Sequence, residues 1–578
     1  MVVMGCCGGV VFVLMKIKGM PKVLIIVCVV GLLFGGAYVA RRGYIAVRQV
    51  RLVKQARQYL AQAEGKKAML CLQRALRANP RDPDACRLMA DLNEATRSPG
   101  ALFWRNRVVE LKPHSLDDRL ALAQTALMLR DYATATNALE AVDAPGKKTA
   151  AYHNLAGAVA SAVNRLPEAE AHFLEATRLE PTNAVPQLNL AIVRLHGTNA
   201  QALAQARTAL KQLSVNPTNS TLRCQALREL VADAMRFKQT DAALALSREL
   251  LQQTNSAFTD RLLRLTVLEE TRNAEFRPAL ANFEREATQG TNALGKIWEL
   301  ALWQITRTGT KEGLAWLKSL PKAMQTNQPV ALLIADCQVS LRDWRGLQAT
   351  LDRQNWGELD FLRHAYMARA LRGQELGDSA KAEWGMAVKA ANGQRSSLVM
   401  LQRKAEGWKW QNEDEDLLWS IVNQYPADTG AFRALAQLLF AEGRTQPLMT
   451  LYSLELKRTP ADLSVKNNLA MTALLLEAKE LKPYDLARDV YQKAGTNAAY
   501  ASTYAFSLHL QKKDAEALKV MQQLKPQQLD NPSVAGYYGL ILQATGNREK
   551  ARAYLQWSSK AQLLPEEKQL FDRARAGA

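Results

Sequence analysis

Cysteine is scarce in this sequence, 7 in 578 residues, and no spacing among them frames a disulfide network or a zinc site. Cys6, Cys7 and Cys28 lie in an apolar N-terminus. Cys71, Cys86, Cys224 and Cys337 are scattered along the chain and read as small core residues. Histidine numbers only 6, and no two of His114, His153, His172, His196, His364 and His509 stand four apart, where they could share a helical face as metal ligands. They read as isolated, so no metal is expected. Aromatic residues make up 7%, which gives β-strands little to pack with. A phosphate loop is lacking too. Gly146-Lys147-Lys148-Thr149 has the closing residues of one, but Ala141 stands where a glycine would let the backbone wrap a phosphate, and no strand precedes it. No enzyme constellation is present, so neither a catalytic residue nor a cofactor is expected.

The chain is rich instead in alanine, leucine and positive charge. At 578 residues it is too long for one compact core, and an array in which each unit buries its apolar stripe against the next fits better. The formal net charge is +20, and residues 41 to 80 hold ten basic side chains against the single acid Glu64. The remaining excess is spread thinly, whereas a nucleic-acid face needs a clustered stripe. Nucleic acid and small-molecule substrates are therefore not expected.

Periodicity sets the architecture. Pro426 and Pro460 stand 34 residues apart and enclose two helically spaced apolar runs, Phe432, Leu435, Ala436 and Leu439, then Leu448, Leu451, Tyr452 and Leu456. Glu442-Gly443-Arg444 reads as the turn between them. Ala436 is small where the helices must approach closely, and Pro460 stops the second helix. Period, small residue and closing proline together resemble the tetratricopeptide repeat. The match recurs at Ala56, Tyr59, Ala68, Leu72, Ala75 and Pro80, and closing prolines follow at Pro113, Pro145, Pro181 and Pro217. With the apolar N-terminus included, the whole resembles bacterial-type tetratricopeptide proteins that have a single N-terminal membrane anchor.

The expected fold class is all-α: an α-solenoid of tandem helical hairpins preceded by one transmembrane helix. Residues 1–22 read as a leader, with the true start at Met1, Met15 or Met20. Residues 23–40 form an uncharged run that spans about 27 Å as a helix, which suits a membrane anchor, with a cleaved signal peptide whose positive region is Lys16, Lys18 and Lys22 as the competing reading. An N-terminal array covers 41–253. Residues 254–425 are degenerate repeats carrying nine of the eleven tryptophans. A second regular array covers 426–558, and 559–578 forms a helix capping the stack and a tail. Basic residues near the anchor, Arg41, Arg42, Arg48, Arg51, Lys54 and Arg57, are placed to lie on a membrane surface and lean the array toward the cytoplasmic face, with a periplasmic array as the alternative.

The resemblance implies a non-catalytic scaffold that binds protein partners along the concave face lined by first helices. By register the candidate contacts are Asn154, Asn189, Lys466, Asn467 and Asn468, which could equally bridge adjacent repeats. Trp408 and Trp410 are candidates for an exposed partner site, with gap-filling between hairpins as the competing reading. Two other functions stay open, binding of an anionic polymer (nucleic acid or acidic polysaccharide) and service as an accessory subunit of an envelope biogenesis enzyme complex.

Overall fold

Short polar side chains start the helices by taking up free backbone N–H groups. The computed structural model describes residues 47–216, 219–290, 292–352 and 354–577. Asp82, Ser115, Thr149 and Asn183 accept hydrogen bonds from the first turns of helices Pro83–Ala95, Leu116–Met128, Ala150–Ala162 and Ala184–Leu195. These starts fall about 34 residues apart, the period read from the prolines. Each of these helices packs on the one that follows it, Gly100–Leu111, Tyr132–Glu140, Leu166–Leu179 and Ala200–Ser214 in turn. First helices also pack on the first helices of neighbouring hairpins, as Leu116–Met128 does on Ala150–Ala162, so they share one face. Among the described residues the regular structure is helical throughout, an all-α array of hairpins.

Close packing explains the small residues. Ala56, Ala68, Leu72 and Ala75 are fully buried. At Gly539 an added Cβ would lie 2.8 Å from the Leu555 side chain and 2.9 Å from its backbone nitrogen. The turns inside hairpins need a left-handed residue. Gly443 (φ 67°) and Gly546 (φ 87°) supply it where the sequence shows a glycine, but Arg97, Arg130, Asn164, Lys238 and Lys512 take φ of 50° to 62° elsewhere.

The chain divides into two compact units between Glu286 and Ala287. In the second, one core runs from Ala331 through Leu451 and includes Trp356, Trp384 and Trp410. The tryptophan-rich stretch thus continues into the regular hairpin Thr429–Ala441 and Thr445–Arg458, although its proline punctuation is lost.

The terminal helix Pro565–Ala576 packs on the last hairpin, Pro532–Ala544 and Arg548–Trp557, as a cap would. It also does more than the sequence indicates. Its start runs back over the first-helix face of its own unit as far as Gly443, whose added Cβ would sit 3.0 Å from Pro565. Apolar side chains draw it there, since Leu564 and Phe571 are both buried.

The leader 1–22, the run 23–40, Arg41, Arg42 and Pro217 lie outside the described residues. Among the described residues no helix is long and apolar enough to cross a membrane.

Candidate functional site

Helix Leu463–Leu475 lies on the first-helix face of the second unit, packed on the first helix Ala498–Leu510. Asp462 fixes its start by accepting from the N–H groups of Ser464 and Val465. Successive residues on a helix point about 100° apart, so the three neighbouring candidates separate. Lys466 donates to Asp489 at 2.6 Å on the following helix, Pro483–Ala494. Asn467 is buried, with 5% exposure. Asn468 alone faces a groove, where it shares a cavity of about 320 Å³ with Gln437, Phe440, Tyr452 and Met471. Asn467 is therefore corrected from a partner contact to a core position, and Lys466 is engaged in an ion pair.

The far wall of that cavity is the terminal helix, through Leu564 and Glu567. Thr445 donates to Glu566, and Tyr537 donates to the buried Glu567 carboxylate. The other Glu567 oxygen accepts from the Leu564 N–H at 2.9 Å, which also closes the first turn. Phe571 meets Tyr537 edge-on, with ring centroids 5.0 Å apart, in space left open by Gly536. Burial pushes the Glu567 carboxyl above its ordinary pKa, against the pull of these hydrogen bonds. The Tyr537 phenol is pushed well up by burial and by its acidic partner.

The tryptophan candidates pack in or against the core of the same unit. Trp410 has 5% exposure and packs 5.3 Å from Trp384, and Trp408 is half-buried, edge-on to Tyr366 at 5.5 Å. Trp410 is thereby corrected from an exposed contact to a gap-filler. The Arg369 guanidinium lies 5.0 to 5.9 Å from the ring centres of Trp344, Trp408 and Trp410. Next to them is a cluster the sequence does not reveal. Tyr366 donates to Asp336 and accepts from Lys404, and Lys404 reaches Asp336 at 2.8 Å, across three successive first helices.

A model of the family described as anaphase-promoting complex, cyclosome, subunit 3 matches residues 94–176, a stretch that runs from helix Gly100–Leu111 into helix Leu166–Leu179. The described residues form helical hairpins that are similar to tetratricopeptide repeats in their period of about 34 residues. No curated protein matches it. Among solved structures, the crystal structure of the APC/C hetero-tetramer Cut9–Hcn1 aligns over 88% of this chain and 97% of its own, with 13% identity and TM-score 0.28. The structure of Naa15/Naa10 bound to HypK-THB aligns over 92% and 79%, with 14% identity and TM-score 0.29.

In the first unit of the tetratricopeptide-like array, Asn189 donates to Asn154 at 2.9 Å, so this pair bridges consecutive first helices. Two histidines of this unit are not isolated. His153 and His172 meet Nδ1 to Nδ1 at 3.0 Å across one hairpin, which corrects the sequence reading: 19 residues part them in sequence and a turn brings them together. Burial and the neighbouring His153 hold His172 below its ordinary pKa. Among the described residues no group of three or more His, Cys, Asp or Glu is placed to hold a metal ion. Gly146–Lys148 forms a 3-10 turn, and Thr149 caps the next helix.

A ladder of charge pairs joins repeats. Arg87 grips Asp118 through two bonds of 2.7 Å, Arg228 grips Asp260 at 2.6 and 2.9 Å, and Arg395 reaches Asp428 at 2.8 Å. Each acid follows its arginine by about one period, a signal visible in the sequence once the register is known. Arg48, Arg51 and Lys54 are exposed on the helix over 47–61, and Arg57 lies 3.4 Å from Asp84.

Proposed function

We propose that the chain is a non-catalytic scaffold that binds protein partners through the first-helix face of its tetratricopeptide-like array. One observation carries this reading: in the second unit that face already holds an amphipathic helix, by buried apolar anchors and by side-chain hydrogen bonds from Tyr537 and Thr445. Partners bind through shape and many modest contacts, and no reactive group is needed. The matched family model, named for a subunit of a complex, is consistent with this.

The uncharged run 23–40 tethers the scaffold to a membrane in this proposal, and Arg41, Arg42, Arg48, Arg51, Lys54 and Arg57 lie against anionic headgroups. Exposed Val47 and Val50 beside Arg48 and Arg51 suit such a surface.

Affinity capture with the detergent-solubilised full chain tests the scaffold. The expected result is a reproducible protein partner whose recovery falls on Asn468→Ala. Capture of no protein, or binding that polyanions compete away, sinks the reading. A reporter fused after Ala578 and alkaline extraction of membranes test the tether, with a cytoplasmic signal and an unextractable chain expected.

A further inference from the structure

The groove of the second unit shows what kind of helix it accepts. The contacts of the terminal segment fall at fixed spacing: Leu564, then Glu567 three residues on, then Leu570 and Phe571 on the next turn. Each meets its own receptor. Leu564 enters the core that includes Leu439 and Leu448. Glu567 is taken by Tyr537, Leu570 packs in the cluster with Met471 and Leu475, and Phe571 lies on Tyr537 over Gly536. Beside this helix the groove stays open as the cavity of about 320 Å³, walled by Phe440, Tyr452 and Met471 opposite Leu564 and Glu567. The helix therefore fills part of the groove and leaves open the part lined by Phe440, Tyr452 and Met471.

We propose that helix Pro565–Ala576 is an internal occupant of a helix-binding groove. The partner that displaces it carries an amphipathic helix with the same apolar, acidic and aromatic spacing as Leu564, Glu567 and Phe571, and a larger apolar side chain directed into the cavity. This rests on the scaffold reading above and adds the partner's chemistry and the means of its control. A tethered occupant competes at a high effective concentration, so the intact chain binds such a helix weakly until its own is released. Release is feasible because a helix of 12 residues has little stability once undocked.

The probe is a fluorescent synthetic peptide of residues 561–577, titrated into the full-length chain. Phe571→Ala, which loosens the internal helix, is expected to bind the peptide about tenfold more tightly than the unaltered chain. Adding Met471→Glu on the groove floor should cancel that gain. Equal binding by the unaltered and Phe571→Ala chains overturns the proposal. So does loss of helical circular dichroism in Phe571→Ala, which would make the helix a structural support.

Hydrogen exchange on the unaltered chain gives an independent reading. Amides of Pro565–Ala576 are expected to exchange about tenfold or more faster than those of Pro532–Ala544, through local opening. Equal protection of the two helices also overturns the proposal. Partner capture by a chain that fails these tests leaves the scaffold standing and removes only the internal occupant, whereas no capture at all removes both.

Discussion

The Tyr537 phenol donates a hydrogen bond to the Glu567 carboxylate, 30 residues away, and both side chains are almost out of contact with water. Burial raises the pKa of this carboxyl above the ordinary 4.5, Glu566 on the same turn adds to the rise, and Tyr537 and the Leu564 N–H oppose it. The docked helix thus holds a proton more readily than the released one. Its stabilisation from this group is complete below the ordinary carboxyl pKa and is lost as pH rises through the raised one. Protection factors of Pro565–Ala576 should increase as pH falls toward the ordinary carboxyl range, and Glu567→Gln should remove the dependence. Tyr537→Phe strips one partner from the buried carboxylate and should weaken docking by about 1–3 kcal/mol.

His153 and His172 give the first unit the opposite response. The pKa of His172 is lowered from 6.5 by burial and by His153, with Glu168 opposing. Its contribution is present above the ordinary histidine range and is lost as pH falls through the lowered value. Amides of helices Ala150–Ala162 and Leu166–Leu179 should lose protection between pH 7.5 and 5, and His172→Gln should flatten the change. A profile unchanged by that substitution would show that the pair does not carry the effect.

Backbone strain at the hairpin turns can be relieved. Lys238, between helices Ser220–Arg236 and Thr240–Gln252, sits at φ 56°. Lys238→Gly should raise stability by about 0.5–1 kcal/mol in denaturant titrations. Gly546→Ala should lower it by a similar amount, since its φ is 87° and the space around it is open, so only the backbone is affected.

The inter-repeat pairs should differ sharply from surface ones. Arg228→Ala strands the Asp260 carboxylate, which has 1% exposure, and should cost about 3 kcal/mol. Lys67→Ala removes a pair whose side chains are 60% and 38% exposed, and its melting curve should match that of the unaltered chain.

The architecture was legible because packing repeats leave a periodic trace. Ala68, Leu72 and Ala75 could be read as core, and are, since a hairpin tolerates only small or apolar residues there. The turn at Gly443 was visible for the same kind of reason, whereas Lys238 hid its turn because lysine carries no mark of a left-handed backbone. Contacts between side chains were less legible. Register puts Lys466, Asn467 and Asn468 on a first helix, but a rotation of about 100° per residue sends one to an ion pair, one to the interior and one to the groove. Composition cannot say whether a ring such as Trp410 fills a gap or faces solvent. The amphipathic pattern of 564–571 announces a helix with one sticky side, and only the folded chain shows what it sticks to. The residues that would anchor the chain, 23–40, lie outside the described structure.

Thr445 and Glu566 join points 121 residues apart. A row of hairpins that touch only their neighbours can unravel from its last member inward, one after another. Fastening the tail to a distant member turns that stretch into a closed circuit, and no link within it is free to peel while the clasp holds. Force applied at the C-terminus must free the docked helix from Ala574 back to Glu566, and the stepwise unravelling usual for such rows begins only after that clasp lets go.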